Sequence, residues 1–165
     1  MKKHGTVSVL FVCLGNICRS PTAHGIFAAA VQNAGLNDCV RVDSAGTGAW
    51  HVGNPPDPRS QAAALERGVD LSSQRARQVK RADFDQFDYI LAMDKDNLSD
   101  LRSLAPAHYD GVLELFLRLD EGTREVEVPD PYYGGADGFQ LVVDLIESAS
   151  QELLSRIQRQ LEANQ

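Results

Sequence analysis

Val7-Ser8-Val9-Leu10-Phe11-Val12 is a nearly unbroken apolar run. A half-solvated strand would alternate apolar and polar residues, so this run fits a strand buried on both faces, as in a parallel sheet. Both faces must then be covered by helices. The run leads straight into Cys13-Leu14-Gly15-Asn16-Ile17-Cys18-Arg19-Ser20-Pro21, and a helical pattern follows over 23–34. Pro21 falls in the first helical turn, where its missing N–H costs nothing. Ile26, Phe27, Ala30 and Val31 supply the apolar stripe, and Gly35 ends the helix.

The rest of the chain repeats this alternation. A second strand is expected over 40–44, closed by Ala45-Gly46-Thr47-Gly48, and then a Pro- and Gly-rich loop over 50–58. Asp57-Pro58 opens a helix that runs to Gly68. A third strand spans 87–93, and Asp94 caps a helix carrying Leu98, Leu101 and Leu104. A weaker fourth strand covers 111–116. A second loop over 126–138 holds Asp130-Pro131-Tyr132-Tyr133-Gly134-Gly135. Phe139, Val142, Val143, Ile146, Leu153, Leu154, Ile157 and Leu161 then follow at helical spacing. The expected architecture is α/β. One domain over 1–165 would hold a four-stranded parallel twisted sheet with helices on both faces. A chain of 165 residues suits a single core of that kind. Ligands in such sheets bind at the C-terminal ends of strands, and the loop after the first strand is a usual site.

Cys13 stands on that loop. Backbone N–H groups and the positive end of a helix dipole converge there on an anion. The same field favours thiolate over thiol. A cysteine often serves as an apolar filler, but Arg19 on the same turn changes the reading. A buried Arg needs an anion or an acidic partner, and its planar fork matches two phosphoryl oxygens. Ser20 can cap the turn or donate to the Cys13 sulfur. Asn16 tolerates left-handed backbone and can pin the loop. The segment Leu14, Gly15, Asn16, Ile17, Cys18, Arg19 and Ser20 therefore reads as a phosphate cradle around a nucleophile. It is not a nucleotide P-loop, which would need G-x-x-x-x-G-K-[ST]. The Cys pair lacks the partners of a zinc site, and no metal or other cofactor is expected.

The chain resembles the low molecular weight protein tyrosine phosphatases, bacterial branch, over nearly its whole length. The matching motifs are Cys13 to Pro21 after a strand, Ser44-Ala45-Gly46-Thr47, Trp50-His51, Ala76-Arg77-Gln78, Phe87-Asp88-Tyr89-Ile90-Leu91 and Asp130-Pro131-Tyr132, in that order. The resemblance implies hydrolysis of protein phosphotyrosine through a cysteinyl-phosphate, with Cys13 as nucleophile. Arg19 would stabilise the phosphoryl oxygens, and Asp130 would act as general acid and then base. Asp130-Pro131 taken alone reads as a turn start. Trp50, Tyr132 and Tyr133 would wall the slot for a phenyl ring, although a lone Trp such as Trp50 also suits a core. Ile17 stands where phosphoarginine-directed relatives carry Thr, and an apolar branched side chain there favours an aryl ester. Many animal members brace the loop Asn with a His before the Ala-Arg-Gln motif. Gln74 takes that place here; an amide can still hydrogen-bond Asn16 but adds no charge.

Cys18 sits at the far end of the tight loop from Cys13. It is either a small core residue or a resolving thiol that closes a disulfide on oxidised Cys13. Cys39, expected in a buried place on the second strand, offers no relay for an arsenate reductase of this fold. A phosphocarrier would have no use for Asp130. The net charge of −7 argues against nucleic acid or an anionic membrane as partner. Expected partners are phosphotyrosine proteins, a cognate tyrosine kinase, and phosphate, vanadate or sulfate as active-site anions. The odd count of 3 Cys suits a reducing cytoplasm, with secretion by a route needing no signal peptide left open.

Overall fold

A computed structural model of the protein describes residues 5–132 and 135–163. Four strands, β1 (Val7–Cys13), β2 (Val40–Gly46), β3 (Tyr89–Ala92) and β4 (Val112–Leu115), form one sheet in the order β2-β1-β3-β4. All three pairings are parallel. The helices are α1 (Arg19–Asn33), α2 (Pro58–Leu65), α3 (Lys95–Leu104) and α4 (Ala136–Ala163).

β1 is central, and its side chains alternate between two cores. Val7, Val9, Phe11 and Cys13 face the layer built by α1 and α4, while Leu10 and Val12 face Phe84, Phe87, Leu98 and Leu101. Phe11 meets Phe27 edge-on at 5.8 Å and Phe116 at 4.9 Å. Such contacts contribute about 1 kcal/mol each beyond the area buried. This two-sided burial is the reason the run reads as continuously apolar. Among the described residues, no helix is long and apolar enough to cross a membrane.

Boundaries differ from the sequence reading where side-chain chemistry overrides the pattern. α1 begins at Arg19, two residues ahead of Pro21, and its first residues Arg19, Ser20 and Thr22 are buried although polar. α4 starts at Ala136, ahead of its first buried apolar residue, Phe139. β3 and β4 are shorter than expected, and the chain around them adds 3-10 turns at Arg81–Asp85 and Phe116–Leu119. Cys39 precedes β2 rather than lying on it, and it is half-buried against the core rather than enclosed.

The strand order sets the site. The chain moves from β1 outward to β2, then returns to the other side of β1 for β3. Connections leave β1 and β3 in opposite directions, which opens a crevice at their C-terminal ends. Cys13 ends β1, and Asp94 follows β3.

Candidate active site

Two constraints shape the loop between β1 and α1. Asn16 takes a left-handed conformation, φ 57°, which turns the backbone inward. Gly46, paired with Cys13 across the sheet, lies beneath the loop: a Cβ there would sit 2.7 Å from the Leu14 carbonyl oxygen and 3.1 Å from the Asn16 nitrogen. Only glycine lets β2 come this close.

Asn16 is 2% exposed, and its side chain is fully engaged. Its Nδ2 donates to Ser20 Oγ at 2.8 Å and to Ser44 Oγ at 3.1 Å, and its Oδ1 accepts from the Arg77 N–H at 3.0 Å. Ser20 does not cap the helix. Its Oγ lies 3.0 Å from Cys13 Sγ, so the hydroxyl takes the sulfur-facing role.

Gln74 does not make the direct bond to Asn16 that its amide would allow. It accepts from Ser44 Oγ at 3.4 Å and donates to the Pro21 carbonyl at 3.0 Å. The brace therefore passes through Ser44. His24 Nδ1 adds a contact to that hydroxyl at 3.2 Å. Burial holds the His24 imidazole below its ordinary value, while Asp43 and the Gln74 hydrogen bond work the other way.

Arg19 is 3% exposed. Its Nη1 donates to Asp94 Oδ2 at 2.6 Å and to the Val128 carbonyl at 3.1 Å. Its Nη2 lies 3.7 Å from Asp130 Oδ2. Burial alone works against the charge, yet Cys13, Asp94 and Asp130 together hold the guanidinium above its ordinary value. Asp94 has two jobs: Oδ1 caps α3 by accepting the Asn97 N–H at 2.8 Å, and Oδ2 fixes Arg19. The sequence showed only the capping role.

Cys13 and Arg19 together line a pocket of about 320 Å³. Small-molecule pockets run from roughly 300 Å³ upward, so there is room for one ring and a phosphoryl group. Leu14, Gly15, Ile17 and Cys18 complete the floor, and Asp130, Tyr132, Trp50 and His51 form the walls. Trp50 is 73% exposed, which removes the core reading for it. Its ring lies over Gly48, where a Cβ would meet it at 2.0 Å. His51 likewise packs against Gly15, and its ring lies 6.5 Å from that of Tyr132. The Asp130 carboxylate accepts the Tyr132 N–H at 3.0 Å, the local turn expected of Asp-Pro. Tyr133 lies outside the described residues. Cys18 is buried at the start of α1, and desolvation pushes its thiol up to about 12.

The family profile described as low molecular weight phosphotyrosine protein phosphatase matches residues 8–163. The chain belongs to that family. A low molecular weight protein-tyrosine-phosphatase of Streptomyces coelicolor is 43% identical over 160 residues, covering 95% of this chain and 97% of the relative. The crystal structure of YfkJ from Bacillus subtilis superposes with a TM-score of 0.89 at 42% identity, covering 96% of this chain and 99% of YfkJ. A protein tyrosine phosphatase from Entamoeba histolytica, with Hepes in its active site, gives a TM-score of 0.90 at 38% identity. That match covers 94% of this chain and 99% of the other. Low molecular weight phosphatases are cysteine-dependent enzymes, and in this one Cys13 ends β1 at the floor of the pocket.

Proposed function

We propose that the protein hydrolyses phosphotyrosine in protein substrates, with Cys13 as nucleophile, Arg19 as oxyanion clamp and Asp130 as general acid and base. The observation that carries this reading is the meeting, in one pocket, of a thiol, a buried guanidinium and a half-exposed carboxylate beneath an aromatic rim.

In the first step the Cys13 sulfur bonds to phosphorus as the ester P–O bond breaks. Asp130 gives its proton to the departing phenolic oxygen. Arg19 and the loop N–H groups hold the three equatorial oxygens, and the Ser20 hydroxyl is placed to donate to the sulfur. In the second step Asp130 takes a proton from water, the water oxygen bonds to phosphorus, and the P–S bond breaks to restore the thiolate. Ile17, Trp50 and Tyr132 shape the slot toward an aromatic ester. Hepes in the active site of the Entamoeba relative supports the cradle as a site for tetrahedral anions such as phosphate, sulfate and vanadate. A tyrosine kinase acting on the same proteins is the opposing activity this reading implies. Three free thiols suit a reducing cytoplasm.

The test offers matched peptides bearing phosphotyrosine, phosphoserine or phosphoarginine, in the presence of a chelator. Phosphotyrosine should be released fastest, and Cys13→Ser should abolish turnover while retaining phosphate binding. Preference for phosphoarginine would move the substrate assignment. Steady turnover by Cys13→Ser would remove the mechanism.

A further inference from the structure

We propose that Arg59 is a positioning residue for catalysis, holding the loop that carries Asp130 in register with the phosphate loop. The proposal rests on Asp130 being the general acid.

A continuous set of hydrogen bonds joins the two loops through Arg59. The carbonyl of Ile17, within the phosphate loop, accepts the Asp57 N–H at 2.8 Å. The Asp57 carboxylate is gripped by Arg59 at two points, Nε to Oδ1 at 3.1 Å and Nη2 to Oδ2 at 2.9 Å. The same Nη2 donates to the Tyr132 carbonyl at 3.1 Å. The Tyr132 N–H in turn donates to Asp130 Oδ1 at 3.0 Å. The guanidinium carbon also lies 5.5 Å from the centre of the Tyr132 ring and 4.7 Å from that of buried Phe139. One cation thus ties α2, the acid loop and α4 together.

A plainer account would make Arg59 a local partner that neutralises the helix-capping Asp57. That account explains the two short bonds to Asp57. It does not explain a hydrogen bond to a carbonyl 73 residues away or two ring faces brought against one guanidinium. Arg59 is 47% exposed, so the ion pair itself contributes little to stability. Arg19 approaches Asp130 at 3.7 Å, beyond hydrogen-bonding distance, and does not fix its orientation. The geometry therefore assigns Arg59 an effect on proton delivery rather than on phosphate binding.

The experiment measures kcat and KM of Arg59→Met, Asp130→Asn and the double variant. The substrates are aryl phosphates whose leaving phenols range from acidic to weakly acidic, and vanadate inhibition is followed in parallel. Met keeps the length and apolar packing of Arg but none of its hydrogen bonds. For a weakly acidic phenol, Arg59→Met should lower kcat by roughly 10–100-fold, the scale of a small misplacement of a catalytic group. The loss should shrink for nitrophenol, and vanadate inhibition should be unchanged. In the Asp130→Asn background the same substitution should add little, since both act through one group. A loss uniform across leaving groups, additive losses in the double variant, or a matching loss of vanadate affinity would each overturn the proposal. If Asp130→Asn is itself insensitive to the leaving group, the general-acid reading falls and this proposal with it. If Asp130→Asn is sensitive and Arg59→Met is not, this proposal alone fails. Should circular dichroism show Arg59→Met unfolded, Arg59→Lys decides by the same measurements: it keeps the charge but cannot hold Asp57 and the Tyr132 carbonyl together.

Discussion

A guanidinium at 3% exposure is costly to desolvate, and the chain answers that cost with Asp94 and a carbonyl rather than with full neutralisation by Asp130. Arg19 is thereby fixed before substrate arrives, and Asp130 stays half-exposed at the wall. The same small volume holds two thiols with different surroundings. Cys13 faces the Ser20 hydroxyl at 3.0 Å, whereas Cys18 is buried with its thiol pushed up to about 12. Cys18 therefore remains protonated at neutral pH and does not compete with Cys13 for a phosphate ester. It still stands in the pocket beside Cys13. Peroxide would convert Cys13 to a sulfenic acid with release of water. Attack by the Cys18 sulfur would then expel a second water and leave a Cys13–Cys18 disulfide. Wild type should recover activity with dithiothreitol after brief oxidation, and Cys18→Ser should recover much less. Equal recovery, with no cross-linked peptide by mass spectrometry, would leave Cys18 a core residue only.

At the scale of elements, the phosphate loop is shaped as much by β2 as by its own sequence. Gly46→Ala would bring a methyl to 2.7 Å from the Leu14 oxygen, and backbone cannot yield as a flexible side chain can. Overpacking of this kind costs typically about 1–3 kcal/mol. Here the loop is the part able to move, so inhibition by vanadate should weaken along with the fall in unfolding midpoint. A lowered midpoint with unchanged vanadate inhibition would show that the strain relaxes elsewhere. The sequence made the strand-loop-helix unit legible because an apolar run, a Gly-Asn turn and a proline lie together in order. It also made the cysteine, the arginine and the acid legible as chemistry. What it did not make legible were partners brought in by topology. Asp94 lies 75 residues from Arg19, and Arg59 lies 73 from Tyr132. Each has a sufficient local role, Asp94 as the cap of α3 and Arg59 as the partner of the capping Asp57, so nothing in the local pattern called for a second one. The reach of Gln74 was open in the sequence for a related reason: Ser44 on β2, distant along the chain, stands between the amide and Asn16.

For the molecule as a whole, His24 links the site to stability. The imidazole ends a hydrogen-bonded path through Ser44, Asn16 and Ser20 to Cys13. Its folded-state value lies below the ordinary 6.5, so between the two values the unfolded chain binds more protons than the folded one. That contribution to stability is present above 6.5 and is lost as pH falls through the folded value. His24→Gln should therefore lose less of its urea midpoint than wild type between about pH 8 and about pH 5.5. Parallel midpoint curves would place the acid sensitivity in other groups.

The seat of Trp50 has one more consequence. The chain contains 1 tryptophan, and its indole lies over Gly48 at the mouth of the pocket, mostly in water. The protein therefore carries its own optical gauge. An aromatic ring entering the slot would displace water from that indole, and no second tryptophan would dilute the change in emission. Occupancy could be followed without a label, in the unaltered enzyme and during turnover.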